Sequence, residues 1–375
     1  MRVLHIYKDY APVVGGIENH IGLLAQAQRA QGIDARVLVT NTSAETIETT
    51  IHGVPVVKTG RQLNISSAPI SLSFYGWLRR LEKGIDITHA HLPYPPGELG
   101  HLLLGSSRAL VLSYHSDIVR QRVLGTFYSP FLRVLLRRAN RISVASPAYI
   151  RTSPFLAPVA DKCRVLPYGI DLSAFEATPE IRQVAAELRA RHAPKPLLLY
   201  VGKLRHYKGL NVLIEAMQQI DAHLLVIGSG MLEEEWRGQA SALGLDDRIS
   251  FLGELSDADK LIALYASDLF VLPSTNRAEA FGIVLIEAMA CGLPLISTEL
   301  GTGTSFVNQH EQTGLVVPPG DPDALAAAIN RLLGNDELRK RMGAAALARV
   351  HAEFSQATMT ARMTSLYHEA LSQKP

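Results

Sequence analysis

Strand-length apolar runs alternate with segments of helical period along this chain, and the whole alternation occurs twice. The first series reads RVLHIY, ARVLVT, ITHAH, ALVLSYHS and RISVASP, with helical stretches such as GIENHIGLLAQAQRAQG between them. Runs that are apolar on both faces and joined by helices make parallel strands covered on both sides, because a parallel connection must cross back over the sheet. The pattern pauses at VLPYGIDLSAFEATPE, where Pro167, Gly169 and Pro179 mark a loop. It restarts beyond Pro194 and Pro196 with PLLLYVGKL, AHLLVIGSG, RISFLGEL, DLFVLPS and LPLISTE. The expected fold class is therefore α/β, with two Rossmann-like doubly wound domains facing across a cleft. The first spans 1–175, the second 176–355, and a final helix covers 356–375. A chain of 375 residues is long enough to fill two such cores.

Charge separates the two halves. The net charge is only +2, yet residues 1–170 hold 19 Lys and Arg against 10 Asp and Glu, and the remainder 18 against 25. A basic first body and an acidic second one point to different partners. The two cysteines, Cys163 and Cys291, are far apart and lie in no C-x-x-C spacing, which argues against a disulfide framework or a structural zinc site. No uncharged apolar run reaches the roughly 18 residues of a membrane span. The amino terminus reads as a first strand rather than a signal peptide, so a cytoplasmic enzyme is the expectation.

Ligands of doubly wound sheets bind beyond the carboxyl ends of the strands, which directs the search for a site to the strand ends. In AEAFGIVLIEAMACG, Glu279 and Glu287 stand eight residues apart around an apolar run. The run reads as a helix from about Ile283, stopped by Gly292. Glu279 falls in the loop before it and Glu287 just over one turn inside. The N–H groups around Phe281, Gly282 and Ile283 would point at an anion there, and Gly282 lets backbone come close. By itself an acid before a helix is explained by the helix dipole, and Glu287 by a solvated face. Against that, a helix apolar nearly all round is a buried helix, and a buried carboxylate needs partners.

In LLLYVGKLRHYKGLNVLIEAM, Lys203, Arg205 and Lys208 gather where a strand gives way to a helix. This reads either as a solvated basic loop or as a phosphate site. It is not a Walker loop. Gly15 and Gly16 in YAPVVGGIENHI, and Gly228 and Gly230 in VIGSGMLEE, are glycines at strand ends, and neither pair carries an assignment alone. His115 in VLSYHSD ends a strand. His89, His91 and His101 lie nearby, but HAH lacks a helix-spaced carboxylate, so no metal is expected.

Taken in order, these segments resemble retaining, nucleotide-sugar-dependent glycosyltransferases of family 4, which have the GT-B fold, over nearly the whole chain. EAFGIVLIE is similar to the family's E-x7-E signature and VGKLRHYKG to its G-R-x-x-x-x-K-G segment. LPYGID, FLGEL and TGLVVPPGDPDAL follow in the family's order. The resemblance implies that Glu279 binds hydroxyls of the transferred sugar and that backbone from Ala280 to Ile283 faces sugar and diphosphate. It implies that Glu287 binds the ribose, that Lys208 and Gly16 meet the diphosphate, and that His115 lies near the donor sugar. Backbone near Glu254 and Leu255 would hold the base. It also implies a front-face reaction without a metal, in which the leaving diphosphate assists the acceptor hydroxyl. The family's arginine is Lys203 here, which lacks the planar two-point grip of a guanidinium, and Arg205 is the expected helper.

YHSDIVRQRVL and TSPFLAP resemble members of bacterial polysaccharide and lipopolysaccharide assembly that transfer mannose or rhamnose. GDP-mannose is the first expected donor and a UDP-hexose the second. The acceptor is expected to be a glycan or polyprenyl-linked. Arg133, Arg137, Arg138 and Arg141, interleaved with apolar residues, fit either an ordinary core helix or contact with an anionic membrane on its inner face. Nucleic acid is not expected. A non-catalytic nucleotide-sugar-binding protein, an epimerase and a phosphorylase are the competing readings.

Overall fold

The structure is a computed structural model that describes residues 1–13, 15–65, 68–116 and 122–372. It divides into two compact units, residues 1–169 with the segment from Gln356 onward, and Ile170–Ser355.

Among its described residues unit 1 holds ten strands: β1 Arg2–Ile6, β2 Asp34–Thr40, β3 Ile47–Ile51, β4 Val54–Thr59, β5 Leu63–Ile65, β6 Ala68–Ile70, β7 Ile87–Leu92, β8 Ala109–Tyr114, β9 Arg141–Val144 and β10 Cys163–Val165. Eight form one sheet in the order β10-β9-β8-β7-β1-β2-β4-β3, and β5 pairs with β6 apart from it. Every neighbour in the large sheet is parallel except β3 and β4, which form a hairpin. The hairpin is not expected from the sequence alternation. It turns at His52 and Gly53, which hold φ of 48° and 77°, the left-handed pair that a two-residue hairpin requires. All six residues of β7 and of β8 are buried, as expected of strands covered on both faces.

The helix Gln356–Ser372 belongs to unit 1, where Met359, Met363, Leu366, Tyr367 and Ala370 join Val3, Leu24 and Val111 in one core. The units divide between Gly169 and Ile170 rather than at 175 and 176. Ile170 bridges to Ser355 and its N–H donates to the carbonyl of Phe354 at 2.9 Å, which ties the short turn that follows to unit 2.

Unit 2 continues with β11 Leu197–Val201, β12 His223–Ile227, β13 Ile249–Gly253, β14 Leu269–Leu272, β15 Leu295–Thr298 and β16 Gly314–Val317. Their order, β13-β12-β11-β14-β15-β16, is all parallel. It is the doubly wound Rossmann order, which reverses direction between β11 and β14. Helix starts follow local chemistry. Thr178, Ser256, Asp321 and Asn335 each accept a backbone N–H three residues on, and Pro179 and Pro322 open two of those helices.

Candidate functional site

In unit 2 the loops after β11 and β14 lie beside the reversal point of the sheet. Leu197–Val201 runs into Gly202, and a 3-10 turn His206–Lys208 precedes the helix Leu210–Ala216. Leu269–Leu272 runs into the loop that carries Ser274 and Glu279, and the helix Ile283–Ala290 follows. The two loops are stitched together. Thr275 N–H donates to the carbonyl of Tyr207 at 2.8 Å. Gly209 holds φ of 69°, and a Cβ there would lie 2.0 Å from the carbonyl oxygen of Pro273, so this crossing requires glycine.

That crossing brings Lys208 Nζ to 2.6 Å from Glu279 Oε2, with side chains only 11% and 9% exposed. Ser274 Oγ donates to the same carboxylate oxygen at 3.0 Å. Burial, the largest single influence, lowers the Lys208 pKa, but the Glu279 charge, the Tyr207 hydroxyl and the hydrogen bond to Glu279 together outweigh it and the net shift is upward. Lys208 is therefore held as its ammonium beside the carboxylate. Thr302 Oγ1 donates to the Glu279 carbonyl at 2.8 Å, and Gly303 N–H to the Ala280 carbonyl at 2.8 Å, which fixes the loop before the helix. Phe281 is buried and Gly282 takes φ of 80° immediately before Ile283. The first N–H groups of a helix have no partner within it and offer an anion a ready site.

Glu287, on the same helix, pairs with Lys260 at 3.1 Å. Burial raises the Glu287 pKa although Lys260 pulls it down. Glu254 is exposed at the end of β13 and accepts from Ser229 Oγ at 2.6 Å; Leu255 beside it is half-buried. Lys203 and Arg205 are exposed, and among the described residues their side chains make no ion pair or hydrogen bond. Gly228, at φ of 129°, has a packing duty, since a Cβ would lie 2.1 Å from the Gly202 carbonyl oxygen. Gly230 likewise packs against Leu204, whose carbonyl oxygen would be 2.4 Å from a Cβ. Unit 2 thus gathers Lys208, Glu279, Ala280, Phe281, Gly282 and Ile283 at one sheet edge. Glu287 lies one turn into the helix, paired with Lys260 of the helix Asp257–Ala266, and Lys203 and Arg205 stand exposed on the β11 loop.

In unit 1, Gly15 caps the helix Gly16–Ala30 in extended backbone, with φ of −171°, and Gly16 is that helix's first residue. His115 follows β8 and is buried. Both of its ring nitrogens are taken, Nε2 by His91 Nδ1 at 3.0 Å and Nδ1 by the Tyr168 hydroxyl at 2.6 Å. It therefore stands inside a network rather than as a lone strand-end histidine. His5, His20, His89 and His91 belong to the same buried group. Burial lowers the imidazole pKa of His5 to about 4 and of His20 to about 3, and those of His89, His91 and His115 well below the ordinary value, so all are neutral near pH 7. His5, His89 and His91 each place one ring nitrogen within 4.8 Å of the others. His101 lies apart, bonded to Glu82 at 2.6 Å. Sequence reading misses His5 and His20. The available signal is strand alternation, which puts His89 and His91 on one face of β7, and pairing of β1 with β7 sets His5 in register with His89.

On the helix Arg122–Arg138, Arg133, Arg137 and Arg138 are exposed while Leu132, Leu135 and Leu136 are buried. Arg141 is drawn away from them to Glu369 at 3.0 Å. Of YHSDIVRQRVL, Asp117 to Gln121 lie outside the described residues. No helix among the described residues is long and apolar enough to cross a membrane.

Comparison with known proteins bears on both units. Residues 14–174 match the family model described as Glycosyltransferase Family 4, and residues 185–349 the model described as Glycosyl transferases group 1. The D-rhamnosyltransferase WbpZ of Pseudomonas aeruginosa is 39% identical over 358 residues, covering 95% of this chain and 92% of that protein. The O-antigen chain mannosyltransferase C of Escherichia coli is 35% identical over 375 residues, 100% of each. Among solved structures, sucrose-phosphate synthase from Thermosynechococcus elongatus aligns with a TM-score of 0.79 at 26% identity, over 98% of each chain.

Proposed function

We propose, from the premise that this chain belongs to glycosyltransferase family 4 and is a hexosyltransferase of GT-B fold, that it moves mannose or a close relative from a GDP-sugar to a lipid-linked glycan. The transfer would retain anomeric configuration and serve cell-envelope polysaccharide synthesis. The observation that carries the reading is the buried Lys208–Glu279 pair beside the N-terminus of the helix Ile283–Ala290. It sets a fixed cation and a fixed carboxylate where a diphosphate and a sugar hydroxyl would each find a complement. The relatives that name mannose and rhamnose support the choice of sugar.

In the reaction, the bond between the anomeric carbon and the diphosphate oxygen breaks. A bond to the acceptor oxygen forms on the same face, and the acceptor's proton leaves with the diphosphate. Negative charge grows on the leaving group, so donors already fixed in place accelerate the step. Lys208, Lys203, Arg205 and the N–H groups at Gly282 and Ile283 are those donors, and they need no metal. Glu279 binds the sugar and Glu287 the ribose, each exchanging part of its hold on Lys208 or Lys260 for hydroxyl groups. Backbone near Glu254 and Leu255 takes the base.

For the acceptor side, Leu63, Ile65, Leu72, Leu99 and Leu103 are between 41% and 72% exposed in unit 1. The elements that carry Leu99 and Leu103 and the basic helix are joined by Arg138 donating to the Leu102 carbonyl at 3.5 Å. Exposed Leu99 and Leu103, on the helix that Arg138 touches, suit an anionic membrane interface that presents a polyprenyl-linked acceptor.

The test is transfer from labelled GDP-mannose, GDP-rhamnose and UDP-hexoses to a polyprenyl-diphosphate glycan, with the anomer read by NMR. A retained product from a GDP-sugar supports the reading. Transfer from a UDP-hexose alone replaces the donor, and nucleotide binding without product makes the chain a binding protein.

A further inference from the structure

Four buried histidines of unit 1, His5, His89, His91 and His115, lie on one continuous hydrogen-bonded chain, and its sense can be worked out link by link. Ser143 Oγ donates to the Leu112 carbonyl at 3.5 Å, an acceptor that has no proton to give. Ser143 must then accept from Ser113 Oγ at 2.6 Å, and Ser113 from His89 Nε2 at 2.7 Å. A neutral imidazole carries one proton. His89 Nδ1 is therefore a lone pair, which takes the Tyr367 hydroxyl proton at 2.7 Å. The Tyr367 oxygen in turn accepts from Gln28 Nε2 at 3.1 Å, which points the amide oxygen of Gln28 at His5.

From Gln28 the same logic runs on. Its oxygen accepts from His5 Nε2 at 2.8 Å, so His5 Nδ1 is a lone pair and accepts from His91 Nε2 at 3.0 Å. His91 Nδ1 then accepts from His115 Nε2 at 3.0 Å, and His115 Nδ1 accepts from the Tyr168 hydroxyl at 2.6 Å. Every ring nitrogen of His5, His89, His91 and His115 is used once, and all four rings carry the proton on Nε2. A three-histidine metal set at His5, His89 and His91 would have to break these bonds. The relay accounts for each nitrogen as it stands.

Gln28 is the hinge of this order, because its donor nitrogen and acceptor oxygen are fixed by the amide's orientation, whereas an imidazole or hydroxyl exchanges roles by moving one proton. Turning it over would reverse the whole His5–His91–His115 arm without moving a ring. Gln28 and Tyr367 are 0% exposed, so solvent does not supply a substitute partner.

We propose that Gln28, oriented by Tyr367 of the carboxyl-terminal helix, is a positioning residue that sets the tautomer of His115 through His5 and His91. The chain of hydrogen bonds stands without the transferase reading. Its consequence for turnover rests on that reading and on the resemblance, which implies that His115 lies near the donor sugar. A wrong tautomer presents a donor where an acceptor is needed, and the ring nitrogens opposite are then left unpaired.

The experiment is a long-range 1H–15N correlation spectrum of histidine-labelled protein near pH 7, assigned by single His→Gln variants. It needs no donor or acceptor, so it separates failure of this proposal from failure of the transferase assignment. His5, His89, His91 and His115 are expected as neutral rings with the proton on Nε2. An Nδ1 tautomer or a charged ring at His5, His91 or His115 would overturn the relay. In Gln28→Met, His115 is expected to show both tautomers, and kcat to fall by up to about a hundredfold, the cost of a remote change that misplaces a reacting group, with nucleotide affinity unchanged. A His115 signal that stays wholly Nε2-protonated in that variant would remove Gln28 from the role. Tyr367→Phe keeps the ring while cutting the anchor, and the same mixed signal is expected there should Gln28→Met not fold. A pure Nε2 signal in Tyr367→Phe would count equally against the proposal.

Discussion

Lys208 and Glu279 meet at 2.6 Å although they sit on different strand-to-helix loops, one after β11 and one after β14. Their contact exists because Gly209 lets the first loop cross against Pro273. Removing one partner strands a buried charge, which costs about 3–5 kcal/mol. Lys208→Met and Glu279→Leu are each expected to lose stability of that order by chemical denaturation. The double variant Lys208→Met/Glu279→Leu should recover most of it while remaining inactive. Additive losses in the double variant would show that the two side chains are not coupled.

Lys203 and Arg205 behave differently because they are exposed and, among the described residues, no side-chain ion pair or hydrogen bond holds them. Replacing either by Ala should change stability by less than about 0.5 kcal/mol. Affinity for a nucleoside diphosphate should drop roughly tenfold for each and become less sensitive to salt. Calorimetric titration at two ionic strengths reads both effects. Unchanged affinity in the two variants would remove these cations from the phosphate site.

The legibility of these features differs for physical reasons. Glu279, Glu287 and Lys208 can be read from the sequence, because a carboxylate in an apolar helix and a cation at a strand end are local anomalies. The partner of Glu287 cannot. Lys260 comes from a helix 27 residues earlier and meets it only once β13 and β14 are placed. The two parallel sheets follow from uniformly apolar strands such as Leu197–Val201. The β3–β4 hairpin is hidden, since Ile47–Ile51 is largely exposed and breaks the apolar pattern. The histidine chain needs the strand order itself, which brings β1 beside β7, and no local window contains that.

Glu98 gives a test of pH dependence. It is buried, accepts from the Tyr94 N–H at 2.6 Å and from the Tyr128 hydroxyl, and has no cation beside it among the described residues. Burial raises its pKa from 4.5 to about 7, against the pull of those two hydrogen bonds. A folded-state pKa above the unfolded one means that the folded protein binds the extra proton. The stabilisation is therefore complete below pH 4.5 and is lost as pH rises through about 7. Its full size is of order 3 kcal/mol. Glu98→Gln carries no such slope, so its stability relative to the parent should improve from pH 5 to about pH 7 and level off beyond it. A constant difference across that range would contradict the assignment.

The leucine and arginine face of unit 1 is tested by flotation with vesicles. Leu103→Ser together with Arg137→Ser and Arg138→Ser should abolish recovery with anionic vesicles, each basic residue near such a surface being worth about 1 kcal/mol. Transfer to a water-soluble acceptor analogue should persist. Equal flotation of parent and variant would leave this face without a membrane role.

The most direct test of the central claim is transfer of radiolabel from GDP-mannose to a polyprenyl-linked glycan, run side by side for the parent and Glu279→Ala, with and without EDTA. The account expects organic-extractable label from the parent in both conditions. In Glu279→Ala it expects a loss of at least about a hundredfold, in line with removal of a fixed transition-state partner, with GDP affinity largely kept. Near-normal transfer by Glu279→Ala, or transfer that EDTA abolishes, would contradict it.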